Sequence, residues 1–117
     1  MSNQTIGARG EDEAAAHLER LGYRILDRRF RTRHGELDLV ATDEETIVFV
    51  EVKARRGGDP WQNLHQDKRA QVRRMAAAWL ASGAQRSYAA ELRFDAIGIT
   101  LDGRGELVRL DHLEGAF

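Results

Sequence analysis

Two neighbouring stretches, Glu36-Leu37-Asp38-Leu39-Val40-Ala41-Thr42 and Thr46-Ile47-Val48-Phe49-Val50-Glu51-Val52-Lys53-Ala54, decide the fold. Both are rich in β-formers, and Asp43-Glu44-Glu45 between them is turn chemistry, so they predict a hairpin. Side chains alternate along a strand. In the second stretch Val48, Val50 and Val52 point one way, while Ile47, Phe49, Glu51 and Lys53 point the other. In the first, Leu37, Leu39 and Ala41 share a face, opposite Glu36, Asp38 and Val40. A slip of one residue would turn one apolar face outward, so the uniform apolar faces must coincide. A connection from Asp43 to Thr46 then pairs Val40 with Phe49, Asp38 with Glu51 and Glu36 with Lys53. Directly opposed residues place their Cβ atoms about 4.5–5.5 Å apart.

This register implies chemistry. Two facing carboxylates repel unless positive charge sits between them. Lys53 could serve as a purely structural partner. Mg²⁺ or Mn²⁺ would serve better, because hard divalent ions take oxygen ligands and often use only one or two carboxylates, with waters and substrate phosphate completing the shell. Such an ion activates water and stabilises charge on a phosphodiester. A neighbouring lysine orients or deprotonates that water, or neutralises the developing negative charge. Glu-x-Lys alone is common. It gains specificity from an aspartate on the hairpin partner, at the end of apolar strands. Glu36 fits a role behind the ligands or toward the substrate better than one as a metal ligand.

Outward from the hairpin, Gly7 to Leu21 reads as a helix with Ala14, Leu18 and Leu21 on its apolar stripe and Gly22 as its C-terminal cap. Glu11 lies one turn before Ala14, at the edge of that stripe; position alone leaves it between a buried functional role and a partner for the helix dipole. Tyr23 to Phe30 is a strand. Leu64 to Leu80 is a second helix with Val72, Met75, Trp79 and Leu80 inward and Gly83 past its end. Leu92 to Ile99 and Leu107 to Leu110 are strands joined by the turn Asp102-Gly103-Arg104-Gly105. The expected order is αβββαββ, an α/β fold with helices in two layers around a mixed sheet, and the second helix is a crossover between parallel strands. With 117 residues, no repeat and no linker, residues 1–117 read as one domain of ordinary size.

Composition narrows the classes. With no cysteine, disulfides and thiolate metal sites are excluded, so a metal must be held by oxygen or imidazole. The four histidines show no zinc-like spacing and read as mostly surface residues, with His34 a phosphate-contact candidate. No signal-like segment or spanning helix is expected, which suggests a cytoplasmic protein with no membrane contact. The formal net charge is −1, yet the basic residues cluster, and nearly all are arginine. Arg24, Arg28, Arg29, Arg31 and Arg33 precede the acidic hairpin; Lys53, Arg55, Arg56, Lys68, Arg69, Arg73 and Arg74 follow it. A cation site bordered by phosphate contacts would have this distribution, with Arg29, Arg31, Arg33, Arg55, Arg56 and Lys68 as nucleic-acid contacts. A solvated mixed-charge surface would have it too.

The chain resembles, nearly end to end, the YraN-type family of small bacterial proteins described as endonuclease-like. The matching residues are Gly7 to Ala14, Gly22 to Leu26, Gly35 to Val40, Val48 to Lys53, Lys68, Arg93-Phe94-Asp95 and His112 to Phe117. The resemblance implies a restriction-endonuclease-like three-layer core, similar to archaeal Holliday-junction resolvases. It also implies a metal site of Glu11, Asp38, Glu51 and Lys53, with Mg²⁺ or Mn²⁺ held by the three carboxylates. The sequence departs from the family after Lys53, where Arg55-Arg56-Gly57-Gly58 is short and carries no aromatic before Trp61. The expected activity is metal-dependent hydrolysis of DNA, with branched or structured DNA as the suggested class. The alternatives are a non-catalytic nucleic-acid-binding module and a protein-interaction scaffold. Oligomeric state is left open.

Overall fold

The computed structural model describes residues 3–58, 61, 67–83 and 91–117. The elements follow the expected order: α1 (Asn3–Arg20), β1 (Arg24–Thr32), β2 (Gly35–Thr42), β3 (Thr46–Arg56), α2 (Asp67–Ser82), β4 (Glu91–Leu101) and β5 (Leu107–Leu113). The predicted start of the second helix at Leu64, and His65, lie outside the described residues.

The strands form one mixed sheet ordered β1-β2-β3-β4-β5. β3 and β4 run parallel and the other pairs antiparallel, so α2 lies in the crossover. Each sheet face has its own core. On one, Ala14, Ala15 and Leu18 of α1 pack with Leu39, Ala41, Val48, Val50, Ile97 and Ile99. On the other, Val72, Met75, Ala76 and Trp79 of α2 pack with Leu37, Val40, Ile47, Phe49 and Ala96. Helix, sheet and helix therefore make three layers, with α1 crossing β3 and β4 and α2 crossing β2 and β3.

Local chemistry fixes the ends that matter. Gly22 has φ +98°, and Tyr23 N–H to Leu18 C=O and Gly22 N–H to Glu19 C=O close α1 in a Schellman arrangement. In the β2–β3 turn the Asp43 carboxylate accepts from Glu45 and Thr46 N–H at 3.0 and 2.8 Å. That turn sets the ladder Leu39↔Val50, Val40↔Phe49, Ala41↔Val48 and Thr42↔Ile47, the register expected from alternation.

Three expectations need correction. Leu21 and Leu80, assigned to buried stripes, are 53% and 44% exposed, because each lies near a helix end beyond the reach of the sheet. Alternation also fails within β2. Leu39 packs on the α1 side, whereas Leu37 packs on the α2 side with Phe30. The inversion centres on Asp38. Across the β1–β2 pair, Arg28↔Leu39 and Phe30↔Leu37 flank the level of Arg29, a non-glycine residue with φ 54°. A left-handed residue rotates the strand about its axis, so β1 and β2 exchange faces together.

Candidate metal centre

The inversion places Asp38 where the β2–β3 ladder ends. Beyond Leu39↔Val50, Val52 N–H donates to Asp38 Oδ2 at 2.7 Å, so a side chain holds the backbone group there. Asp38 and Glu36 turn toward Glu11 of α1. One carboxylate oxygen from each of the three lies within 4.8 Å of the others. Glu11 can reach because the preceding residue is glycine: a Cβ on Gly10 would collide with the Ala54 side chain of β3, so α1 approaches the sheet there as a wider residue could not.

Each carboxylate has a distinct partner. Glu11 is buried and accepts from Arg29 Nε at 2.5 Å, a bond that holds the Arg29 pKa above its ordinary value. Glu36 accepts from Arg31 Nε at 2.8 Å. Glu51, 5% exposed, is two residues beyond Phe49 on the α2 side of β3. There Lys68 Nζ and Lys53 Nζ stand 3.1 and 3.7 Å from its Oε1. Asp38 has no cation partner among the described residues. Burial first, then the Glu51 charge, push its pKa up to about 8 against the opposing Val52 N–H bond.

The sequence-predicted site residues thus fall into two adjoining groups rather than on one strand face. Glu11, Glu36 and Asp38 gather their oxygens, while Glu51, Lys53 and Lys68 form an ion-paired group whose negative charge Asp38 feels. Glu36 pairs with Arg31 of β1, and the β2–β3 ladder ends at Leu39↔Val50, short of the expected Asp38–Glu51 and Glu36–Lys53 pairs. Three carboxylates with no sulfur or imidazole among them suit a hard, oxygen-seeking divalent ion such as Mg²⁺ or Mn²⁺.

The predicted phosphate contacts divide as well. Arg29 and Arg31 are engaged with Glu11 and Glu36. Arg56 donates to Gly103 C=O at 3.2 Å. Arg33 is exposed beside His34, and Arg55 is half-buried in β3. Trp61 packs against the α2-side core, which fits anchoring of its loop.

A family model described as "Uncharacterised protein family UPF0102" matches residues 10–99. The chain belongs to this family. A UPF0102 protein of Geobacter sulfurreducens is 47% identical over 118 residues, covering 98% of this chain and 90% of the relative. One from Geobacter metallireducens is 42% identical over 120 residues, covering 100% and 95%. A third, from Frankia casuarinae, is 43% identical over 120 residues, covering 99% and 98%. The UPF0102 match spans every carboxylate and lysine of the two groups, Glu11 through Lys68. Among the described residues of this UPF0102 chain, no helix is long and apolar enough to cross a membrane.

Sequence reasoning missed a second polar constellation. Asp95, fully buried, accepts from Arg93 Nε and Arg93 Nη2, each at 2.9 Å, and from Gly115 N–H at 3.0 Å. His112 Nε2 lies 2.7 Å away, and His112 Nδ1 faces His17 Nε2 at 3.0 Å. Arg93 also reaches the Tyr23 hydroxyl. His17 and His112, expected at the surface, are half-buried here. They are 95 residues apart, so no spacing rule could have joined them.

Proposed function

We propose that this protein is a divalent-metal-dependent nuclease acting on DNA. The observation that carries this reading is the convergence of Glu11, Glu36 and Asp38 oxygens within 4.8 Å, beside Glu51 and its two lysines. Isolated acidic residues on a surface do not converge from a helix and a strand. Nor does a structural cluster leave a carboxyl whose charge is disfavoured without a cation, as Asp38 is left among the described residues.

Glu11, Glu36 and Asp38 would hold the ion, with Glu51 at its edge. A bound Mg²⁺ or Mn²⁺ supplies Lewis acidity for the phosphodiester and lowers the pKa of a water. Asp38 would serve as a ligand in its ionised form. Glu51 keeps Lys53 and Lys68 beside the reacting centre. Lys53 orients the attacking water or neutralises charge as it builds on the phosphate. Arg29 and Arg31 on β1 and Arg33 in the β1–β2 turn contact the backbone without reading bases.

The test is a cleavage panel on duplex, single-stranded and branched DNA with Mg²⁺ or Mn²⁺, using Asp38→Ala as the control. Lys53→Ala sharpens it. Loss of a nearby positive charge leaves metal binding equal or tighter, while cleavage falls by about 10²–10⁴-fold. A Lys53→Ala protein that cleaves like the parent removes the role assigned to Lys53. A parent that binds nucleic acid yet cleaves nothing in any metal favours a non-catalytic binding module.

A further inference from the structure

The cations around the two carboxylate groups differ in how deeply they are set. Lys53 and Lys68, on Glu51, have side chains only 29% and 30% exposed. Arg29 and Arg31 are 48% and 69% exposed, whereas their partners Glu11 and Glu36 are 11% and 32% exposed. In each arginine pair the carboxylate is the more buried member and the guanidinium the more exposed one. Both arginines lie on β1, an edge strand of the sheet. Among the described residues each engages its carboxylate through Nε, leaving the fork of η nitrogens unused. That fork is the part of the side chain suited to two-point phosphate binding.

We propose that Arg29 and Arg31 compete with the divalent ion for Glu11 and Glu36, and that once displaced they become the phosphate contacts of the site. This rests on the metal-site reading above. A divalent ion among these oxygens satisfies them and repels both guanidiniums. The arginines leave at little desolvation cost, because they already border water. Metal and DNA therefore reinforce one another: the ion frees two cations for the backbone, and a backbone that holds those cations clears the ion's ligands. By linkage the effect is equal in both directions. The lysines on Glu51 do not exchange and stay with the reacting centre.

The experiment uses Ca²⁺, an oxygen-seeking probe ion, and a duplex oligonucleotide. Ca²⁺ affinity is measured by calorimetry without DNA, and duplex affinity by anisotropy across a salt series with Ca²⁺ or with EDTA. In Arg29→Gln, Ca²⁺ binds about three- to tenfold tighter than in the parent, because a competing charge is gone. In the parent, Ca²⁺ steepens the log–log salt slope by about two, roughly 0.9 for each new phosphate contact. In Arg29→Gln the steepening falls to about one such step. Arg29→Lys keeps the charge and follows the parent's Ca²⁺ affinity. Arg24→Gln, which breaks the Arg24–Glu44 pair at the far end of the hairpin, follows the parent in both measurements. Unchanged or weaker Ca²⁺ binding in Arg29→Gln overturns the exchange, as does a parental slope indifferent to Ca²⁺. If the parent binds no Ca²⁺, or Asp38→Asn binds it equally well, the metal-site reading fails and the exchange fails with it.

Discussion

Asp38 and Asp95 are acidic side chains held within the same sheet, and the fold treats them in opposite ways. Asp95 is burdened by complete burial, but His112, two Arg93 nitrogens and the Gly115 N–H outweigh that burden and hold its pKa below the ordinary value. Asp38 receives one backbone N–H, faces the Glu51 charge and is pushed up to about 8. Asp95 is a finished structure: it ties β4 to β5 and to the C-terminal residues, and through His112 to α1. Asp38 is left under-compensated although cations stand on all its neighbours. A carboxylate whose charge is costly in the protein alone is a candidate for a site that a bound cation would complete, as proposed above. The contrast separates the Asp95 network from the proposed site more sharply than burial does, since both are largely shielded from water.

The contrast breaks most visibly at Asp95. Asp95→Ala removes the shared partner of Arg93 and His112 and should cost about 3–5 kcal/mol, the usual penalty for orphaning buried charge. Thermal melting followed by circular dichroism checks this, and added Mn²⁺ should not restore the loss. A loss under 1 kcal/mol would mean that the network is ornamental.

At Asp38 the sign reverses. Its folded pKa is above its unfolded value of about 3.8, so the stability tied to its proton is full below pH 3.8 and is lost as pH rises to about 8. Asp38→Asn removes this dependence. In metal-free buffer above pH 8 it should stabilise the protein by about 1 kcal/mol, raising Tm by roughly 4 °C. Metal binding behaves inversely: if Asp38 must ionise to bind, Mn²⁺ affinity in the parent should rise about tenfold per pH unit until pH 8, then level off. An Asp38→Asn protein that melts lower than the parent at pH 9 without metal would contradict the electrostatic account.

The smallest effect belongs to His17. Burial first, then the His112 and Arg20 charges, lower its pKa, so its contribution is present above its unfolded pKa near 6.5 and lost as pH falls through the lower folded value. His17→Gln should cost about 0.5 kcal/mol at pH 8, the low end for one hydrogen bond. Its stability should also decline less than the parent's between pH 7 and 5, as urea titrations would show.

Much of this molecule was legible in its residues. Valine alternation and the Asp43 turn sufficed for the β2–β3 register, and the apolar stripe placed Ala14 and Leu18 correctly. Alternation extrapolated poorly past Leu39, because nothing in the sequence marks Arg29 as a left-handed residue, and a single such residue turned Leu37 to the other core. That rotation brought Glu36 into the company of Glu11, where the register argument had set it against Lys53. The Asp95 network was illegible for another reason: its members come from α1, β4 and β5, and only the assembled fold brings them together.

Gly10 carries a consequence of its own. Helix α1 rests at this point on the Ala54 side chain of β3 with no side chain of its own between them, so the helix is levelled against the sheet at the residue next to Glu11. A methyl group there acts as a shim. It would raise the helix by a fraction of an ångström to about one, which a packed core can absorb at a cost of about 1–3 kcal/mol. A coordination shell is a finer gauge, with oxygen–metal distances that hold to within about 0.2 Å. The tolerance of the proposed site is therefore set by its least conspicuous part: Gly10 has no chemistry, yet it calibrates the height from which Glu11 would reach a metal.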